Sequence, residues 1–288
     1  MRGLAEFIMR GRWQALAVAI LGAGSLLFGW ISAAAVGLVT LRKGHVSGGW
    51  IVFWALLPAT VAAWFSADPS SVLLLLGVYV LAVVLRETVS LPLAVASSAF
   101  VGFATGGSLL LFGEAFLTQL AEMFAALLNQ LQANLEAEGS GEVVLALPEP
   151  EQIAGLLAAG NTVTVVLSLL LARYWQALLY NPGGFRKEFH ALRLPPLWTA
   201  GLGLLALGIW AQEPWLSGWA LVMSVPLMFC GLALVHAYMA ASGRGAGSAV
   251  VFYLMWILLD PVKGLLLGLV VADAWIDFRK RWAPPETD

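Results

Sequence analysis

The chain has 288 residues, of which 60% are hydrophobic and 11% charged, with a net charge of -2 and a mean hydropathy of +0.87. This balance lies far outside that of water-soluble domains and marks an integral membrane protein. The slight negative charge offers no attraction to nucleic acid, and the single Cys230, set in the apolar run SVPLMFCGLALV, excludes a disulfide framework, a cysteine metal motif and a redox pair.

Arg2, Arg10 and Arg12 precede the first apolar stretch, and Ala33, Ala34 and Ala35 follow it, a pattern shared with signal peptides. Because the sequence beyond stays membrane-like, the start reads as a first membrane region instead. Apolar runs of about 20 residues can cross the hydrocarbon core as helices. Such runs cover 13–41, 47–67 (with Pro58 inside), 70–85, 88–112, 155–178, 195–211, 214–239 and 246–276. The chain therefore divides into N-terminal membrane segments (1–112), an acidic segment (113–151) and C-terminal membrane segments (152–288) with a polar loop at 181–196. The expected fold is an all-α polytopic transmembrane bundle of eight to ten membrane segments.

Charge sets the orientation. No Lys or Arg occurs between Arg86 and Arg173, and the middle of that gap carries Glu114, Glu122, Glu136, Glu138, Glu142, Glu149 and Glu151. Almost every other base sits at a boundary between apolar runs, as expected where cytoplasmic loops retain Lys and Arg. If 13–41 were one span, the N-terminal arginines and the Arg42, Lys43, His45 loop would lie on opposite sides. A hairpin of two short segments turning near Gly22 to Ser25 keeps both clusters cytoplasmic. The same argument folds 246–276 at Asp260-Pro261, between Arg244 and the Arg279, Lys280, Arg281 cluster. Arg86, the 181–196 loop and both termini are then cytoplasmic, while Asp68, the acidic segment and Glu213 are outside.

Within the acidic segment, Phe116, Leu117, Leu120, Met123, Phe124, Leu127, Leu128, Leu131 and Leu135 recur at helical spacing, with Gln and Glu opposite. This predicts an amphipathic outer helix, followed by the loop GSGEVVLALPEPEQ. Its apolar face needs a support, and the shortage of bases favours protein over anionic lipid.

Two blocks, Gly37 to Trp50 (GLVTLRKGHVSGGW) and the C-terminal run closing on Asp273 to Arg281 (DAWIDFRKR), resemble the YybS-like family of polytopic bacterial membrane proteins. The loop Ala172 to Leu194 (ARYWQALLYNPGGFRKEFHALRL) looks like a proteobacterial branch of it. The resemblance implies a bacterial inner-membrane location. It also implies a distant similarity to the S components of energy-coupling-factor transporters, which bind vitamins or metal ions and work with ATPase partners.

Charged groups inside apolar runs are candidate functional residues. Asp260 and Lys263 flank Pro261 and could pair across a broken helix, either as part of a ligand site or as the wet turn of the last hairpin. Arg173 and Gln176, with Tyr180, share a helical face that either holds an anionic group or serves as a snorkelling arginine with Tyr174 and Trp175 as interface anchors. His236 is either a proton relay or a histidine hydrogen-bonded between helices. Asp273 and Asp277 either share a cation or form local ion pairs. In the polar loop, Phe185, Arg186, Lys187 and Phe189, with Leu192 and Leu194, form a short interfacial helix that either rests on lipid or docks a soluble partner. Gly102/Gly106 and Gly264/Gly268 carry the small-xxx-small spacing of close helix packing. No phosphate-cradling loop, zinc-protease motif or nucleophile elbow occurs in the sequence, so neither an enzyme nor a bound cofactor or metal is expected.

The leading expectation is a transporter-like bundle that binds a small solute and relies on a partner for energy; the alternative is a non-transporting scaffold that binds partners through the outer helix and the cytoplasmic loop.

Overall fold

The computed structural model describes residues 1–25, 27–137 and 147–282, among which every regular element is helical. Much of the loop that follows the acidic amphipathic helix, with Glu138 and Glu142, lies outside the described residues.

Short α1 (Arg2–Arg10) is strongly amphipathic and buries Ala5 and Ile8 against the bundle. Then α2 (Arg12–Ala23) and α3 (Gly29–Lys43) form the expected hairpin, although its turn runs on to Phe28. Ser32 Oγ donates to the Ala19 carbonyl at 2.6 Å, and Arg12 and Lys43 line one pocket, so the two basic clusters share an end of the molecule. Every residue from Ser32 to Leu41 is buried, which makes α3 the central post of the fold. Its small side chains Ala33, Ala34, Ala35 and Gly37 permit this, because helices in lipid associate through close packing and not through a hydrophobic driving force.

Gly44, with φ at +100°, reverses the chain into α4 (His45–Ser66) at a backbone angle that side chains disfavour. Then α5 (Ser70–Thr88) and α6 (Leu91–Phe112) follow, the latter capped by Ser90 Oγ, which accepts from the Leu93 amide. The acidic helix α7 (Glu114–Ala137) leads to α8 (Pro150–Tyr180), the longest helix, which packs on α3, α5, α6 and α11 (Ser217–Ala241). Between α8 and α11 lie α9 (Gly184–His190) and α10 (Pro196–Trp210), and the chain closes with α12 (Ala246–Leu258), α13 (Asp260–Ile276) and α14 (Phe278–Trp282).

Five helices, α4, α5, α6, α8 and α11, are long and apolar enough to cross a membrane, and the bent pair α12/α13 brings the number to six if it is one span. These helices suit a membrane-embedded protein. The other apolar helices, α2, α3 and α10, have 12, 15 and 15 residues. The last region is not a straight span: the chain bends by 110° between α12 and α13, as in a broken span or a re-entrant loop. Its break falls at Leu259, the extended N-cap of α13, with Pro261 in the first turn, where its missing N–H and fixed φ suit the start of a new helix and cannot continue the old one.

Glycines fix the close crossings. A Cβ on Gly48 would sit 1.9 Å from Thr40 Oγ1, one on Gly218 2.5 Å from the Leu156 amide nitrogen, and one on Gly102 2.3 Å from Thr162 Oγ1. The Gly102/Gly106 pair therefore packs as its spacing suggests. Gly264 and Gly268 do not: nothing stands within 4 Å of a Cβ at either, because α13 turns this face out of the bundle and buries Leu266 and Val270 instead.

Candidate functional site

The ends of α3, α5 and α8 meet α9 at the end of the bundle that carries most of the Lys and Arg, the basic end. Arg173, on α8, donates from Nε to Glu188 Oε2 at 2.7 Å and from Nη1 to Gln176 Oε1 at 2.6 Å. Arg86 closes α5 by donating from Nη1 to the Leu41 carbonyl at 2.7 Å, which satisfies an acceptor left over at the end of α3. These residues, with Leu85, Glu87 and Val89, line an open polar pocket of about 430 Å³. Val89 at its rim holds φ at +53°, an uncommon angle for a β-branched residue. Close by, the Arg42 guanidinium lies 4.0 Å from the Tyr180 ring centroid, and His45 Nδ1 is 3.8 Å from Glu87 Oε1. Because cationic and anionic groups alternate around this pocket, it suits a small polar molecule that carries both signs, or a peptide segment.

Alongside it, the 181–196 loop is fastened to the C-terminal helices by a second polar cluster. Arg279 donates to Asp273 Oδ2 at 2.6 Å and to the Leu192 carbonyl at 2.9 Å, while the Phe278 amide donates to Asp273 Oδ1 at 2.9 Å. Arg193 pairs with Asp277 Oδ2 at 2.6 Å and donates to the Ala274 carbonyl at 2.8 Å. Burial alone would raise the Asp277 carboxyl. The hydrogen bond and charge of Arg193, helped by Lys280, outweigh it and hold the group below the usual aspartate value. His190 moves down from the ordinary histidine value, first through burial and then through the positive charges of Arg186, His236 and Arg279.

Each sequence candidate now has a position. Asp260 and Lys263 pair with each other at 2.6 Å, with Asp260 90% exposed, so they sit at a surface turn. His236 shares a hydrogen bond of 2.8 Å with Tyr253 on α12 and packs edge-on against Phe189, as a histidine bonded between helices. Asp273 and Asp277 face different cations and share none. Arg173 is held by Glu188 rather than snorkelling alone, and Trp175 is fully buried, not an interface anchor. In the loop, Phe185 and Phe189 stack at 5.9 Å and, half-buried, pack on the main core with buried Leu192 and Leu194. Arg186 and Lys187 remain exposed.

Sequence reasoning missed Glu188, Arg193, Arg86 and Glu87 as members of these clusters. Glu188 carried a usable signal: it is the one acid in the basic loop, and an arginine lies at the end of the preceding helix. Arg193 offered none, because its partners lie about eighty positions further along the chain, as its bond to Ala274 (separation 81) shows. Among the described residues no group of three His, Cys, Asp or Glu side chains comes close enough to hold a metal ion. No family model matches the chain, nor does any curated protein or solved structure.

Proposed function

We propose that this is a multi-pass membrane scaffold that holds a partner protein through α7 on the acidic side of the bundle. The observation behind this reading is the division of α7 into a seated half and a half that is exposed and unpartnered among the described residues. At about 1.5 Å per residue its 24 residues extend about 36 Å. Leu117, Phe116, Leu120 and Ala121 pack on Leu109, Ile153, Ala154 and Trp219, which anchors the first turns. Beyond them Met123, Phe124, Leu127 and Leu131 are 59%, 44%, 60% and 45% exposed along one face. On a span such a face would meet lipid chains, but α7 carries Glu114, Glu122 and Glu136 and no base, which suits neither a hydrocarbon environment nor an anionic headgroup layer. The matching partner surface is apolar and flanked by Lys or Arg.

In this reading the basic end faces the cytoplasm, with both termini, and the membrane is the bacterial inner membrane, in line with the positive-inside tendency and the YybS-like resemblance. The short helices α2, α3 and α10 and both arms of the bent pair count as membrane segments alongside the five long ones, which gives the upper end of the expected eight to ten.

A transporter-like reading has two observations in its favour: the helix broken at Leu259 and the charged pocket of Arg86, Arg173 and Glu188. In that case the pocket takes a small solute and an ATPase partner supplies energy at the basic end. Native mass spectrometry of the full chain extracted gently from its own membrane separates the two. The scaffold reading expects a stoichiometric protein partner that is lost in Leu127→Asp/Leu131→Asp and retained in Asp260→Asn/Lys263→Met. A small-molecule mass that survives the α7 substitutions and disappears in Arg86→Gln/Arg173→Gln supports the transporter reading and defeats the scaffold.

A further inference from the structure

A second pocket of about 430 Å³ lies at the basic end, on the other side of α3, where α2, α3 and α4 meet. Its floor is apolar and buried: Ala15, Val39 and Ile51 are each at most 2% exposed. Its rim is polar. Arg12 and Lys43 are exposed there, Ser47 lies beside them, and neither cation has an ion-pair partner among the described residues. The α2/α3 hairpin gathers these like charges, because it returns the chain to the level from which it left. Bringing two cations to one rim costs electrostatic repulsion that an anion would relieve. The uncapped first turn of α4, whose N-cap is Gly44, adds Val46 and Ser47 to the same rim.

Aromatic residues mark the level of this pocket relative to a bilayer. Trp50 lines it, Trp13 meets Trp50 edge-on with ring centroids 5.9 Å apart, and Trp54 follows at 6.3 Å. A tryptophan cluster next to basic residues is the composition of a membrane–water interface. An apolar floor, an interfacial level and a rim of guanidinium, ammonium and hydroxyl donors together suit an amphiphile with an anionic phosphate head. The volume lies within the range of small-ligand sites.

We propose that this pocket binds the phosphate headgroup of an anionic phospholipid, with Arg12, Lys43 and Ser47 holding the phosphate and Ala15, Val39, Ile51 and Trp50 receiving the start of an acyl chain. The site is separate from α7 and does not depend on what α7 binds.

The test is native mass spectrometry of the full chain in a mild detergent, titrated with short-chain phosphatidylglycerol, phosphatidylcholine or inorganic phosphate. Phosphatidylglycerol is expected to bind wild type more tightly than phosphatidylcholine, and Arg12→Gln/Lys43→Gln to weaken it about thirtyfold, the scale set by two surface cations on an anionic headgroup. Arg186→Gln/Lys187→Gln removes the same charge from the same end, away from the pocket, and retains wild-type binding. Equal weakening by both double variants would overturn the proposal, because it would show a general field and no site. Inorganic phosphate that displaces phosphatidylglycerol at matching concentration would overturn the lipid assignment in favour of a soluble phosphate ligand.

Discussion

Asp273 and Arg279 form the most deeply buried ion pair among the described residues, with side chains 4% and 15% exposed and 2.6 Å between Oδ2 and Nη1. Removing one member strands the other. Arg279→Met is therefore expected to cost about 3 kcal/mol or more, and Asp273→Asn/Arg279→Met to recover most of it. The neighbouring Arg193–Asp277 pair is 26% and 22% exposed, and Arg193→Met is expected to cost about 1 kcal/mol. Unfolding by dodecyl sulfate titration in mixed micelles measures all three; equal losses for Arg279→Met and Arg193→Met would show that burial does not set the difference.

The glycine environments predict opposite outcomes for chemically identical changes. Gly218→Ala drives a methyl into the Leu156 and Gly155 backbone, and Gly48→Ala drives one into Thr40, each expected to destabilise by about 1–3 kcal/mol. Gly264→Ala and Gly268→Ala meet nothing and gain helix propensity, so they are expected to be neutral or stabilising by up to about 1 kcal/mol. Thermal melting in one detergent compares the four directly.

At the α8–α9 junction, Arg173–Glu188 is partly exposed, so Glu188→Gln is expected to cost only about 1 kcal/mol. That is enough to raise local opening of α9 several-fold. Trypsin cleavage after Arg186 or Lys187 should accelerate accordingly, and an unchanged rate would mean that Phe185 and Phe189 hold the helix without the ion pair.

His190 contributes a definite pH dependence. Its folded value lies below the ordinary 6.5, so the unfolded chain takes up a proton first as pH falls. The stability it contributes is complete above 6.5 and declines as pH drops through 6.5 toward the lower folded value. The charged groups facing it are Arg186 on its own helix, His236 on α11 and Arg279 on α14. Melting temperatures measured from pH 7.5 to 5 should fall more steeply for wild type than for His190→Gln.

Elements that depend on local pattern were legible in the sequence. The five long apolar helices, the amphipathic helix starting at Glu114 and the break beside Asp260-Pro261 each follow from run length, helical periodicity or proline sterics. The two-arm reading of 13–41 followed from charge alone, yet nothing in that charge said that α3 would be the buried centre. Its evidence was the run of small residues from Ala33 to Gly37, which indicates close packing but not the number of neighbours. The packing of the loop on the core was not legible, because Phe185 and Phe189 have the spacing of an interfacial helix whether the apolar side meets lipid or protein. The deciding contacts, Arg173–Glu188 and Arg279 with Leu192, are tertiary. Likewise Gly264 and Gly268 match a packing motif, but among the described residues nothing stands against either beyond the 110° bend.

The most direct test of the central claim places a photo-crosslinking residue at Leu127, at Leu131 and, on the acidic face, at Glu122, in the full chain in its native membrane. Docking through the apolar face of α7 predicts one discrete protein adduct from Leu127 and Leu131, weak or absent from Glu122, and diminished when Glu114 and Glu136 are changed to Lys. Adducts to lipid alone, or the same adducts from all three positions, would contradict a scaffold role for this helix.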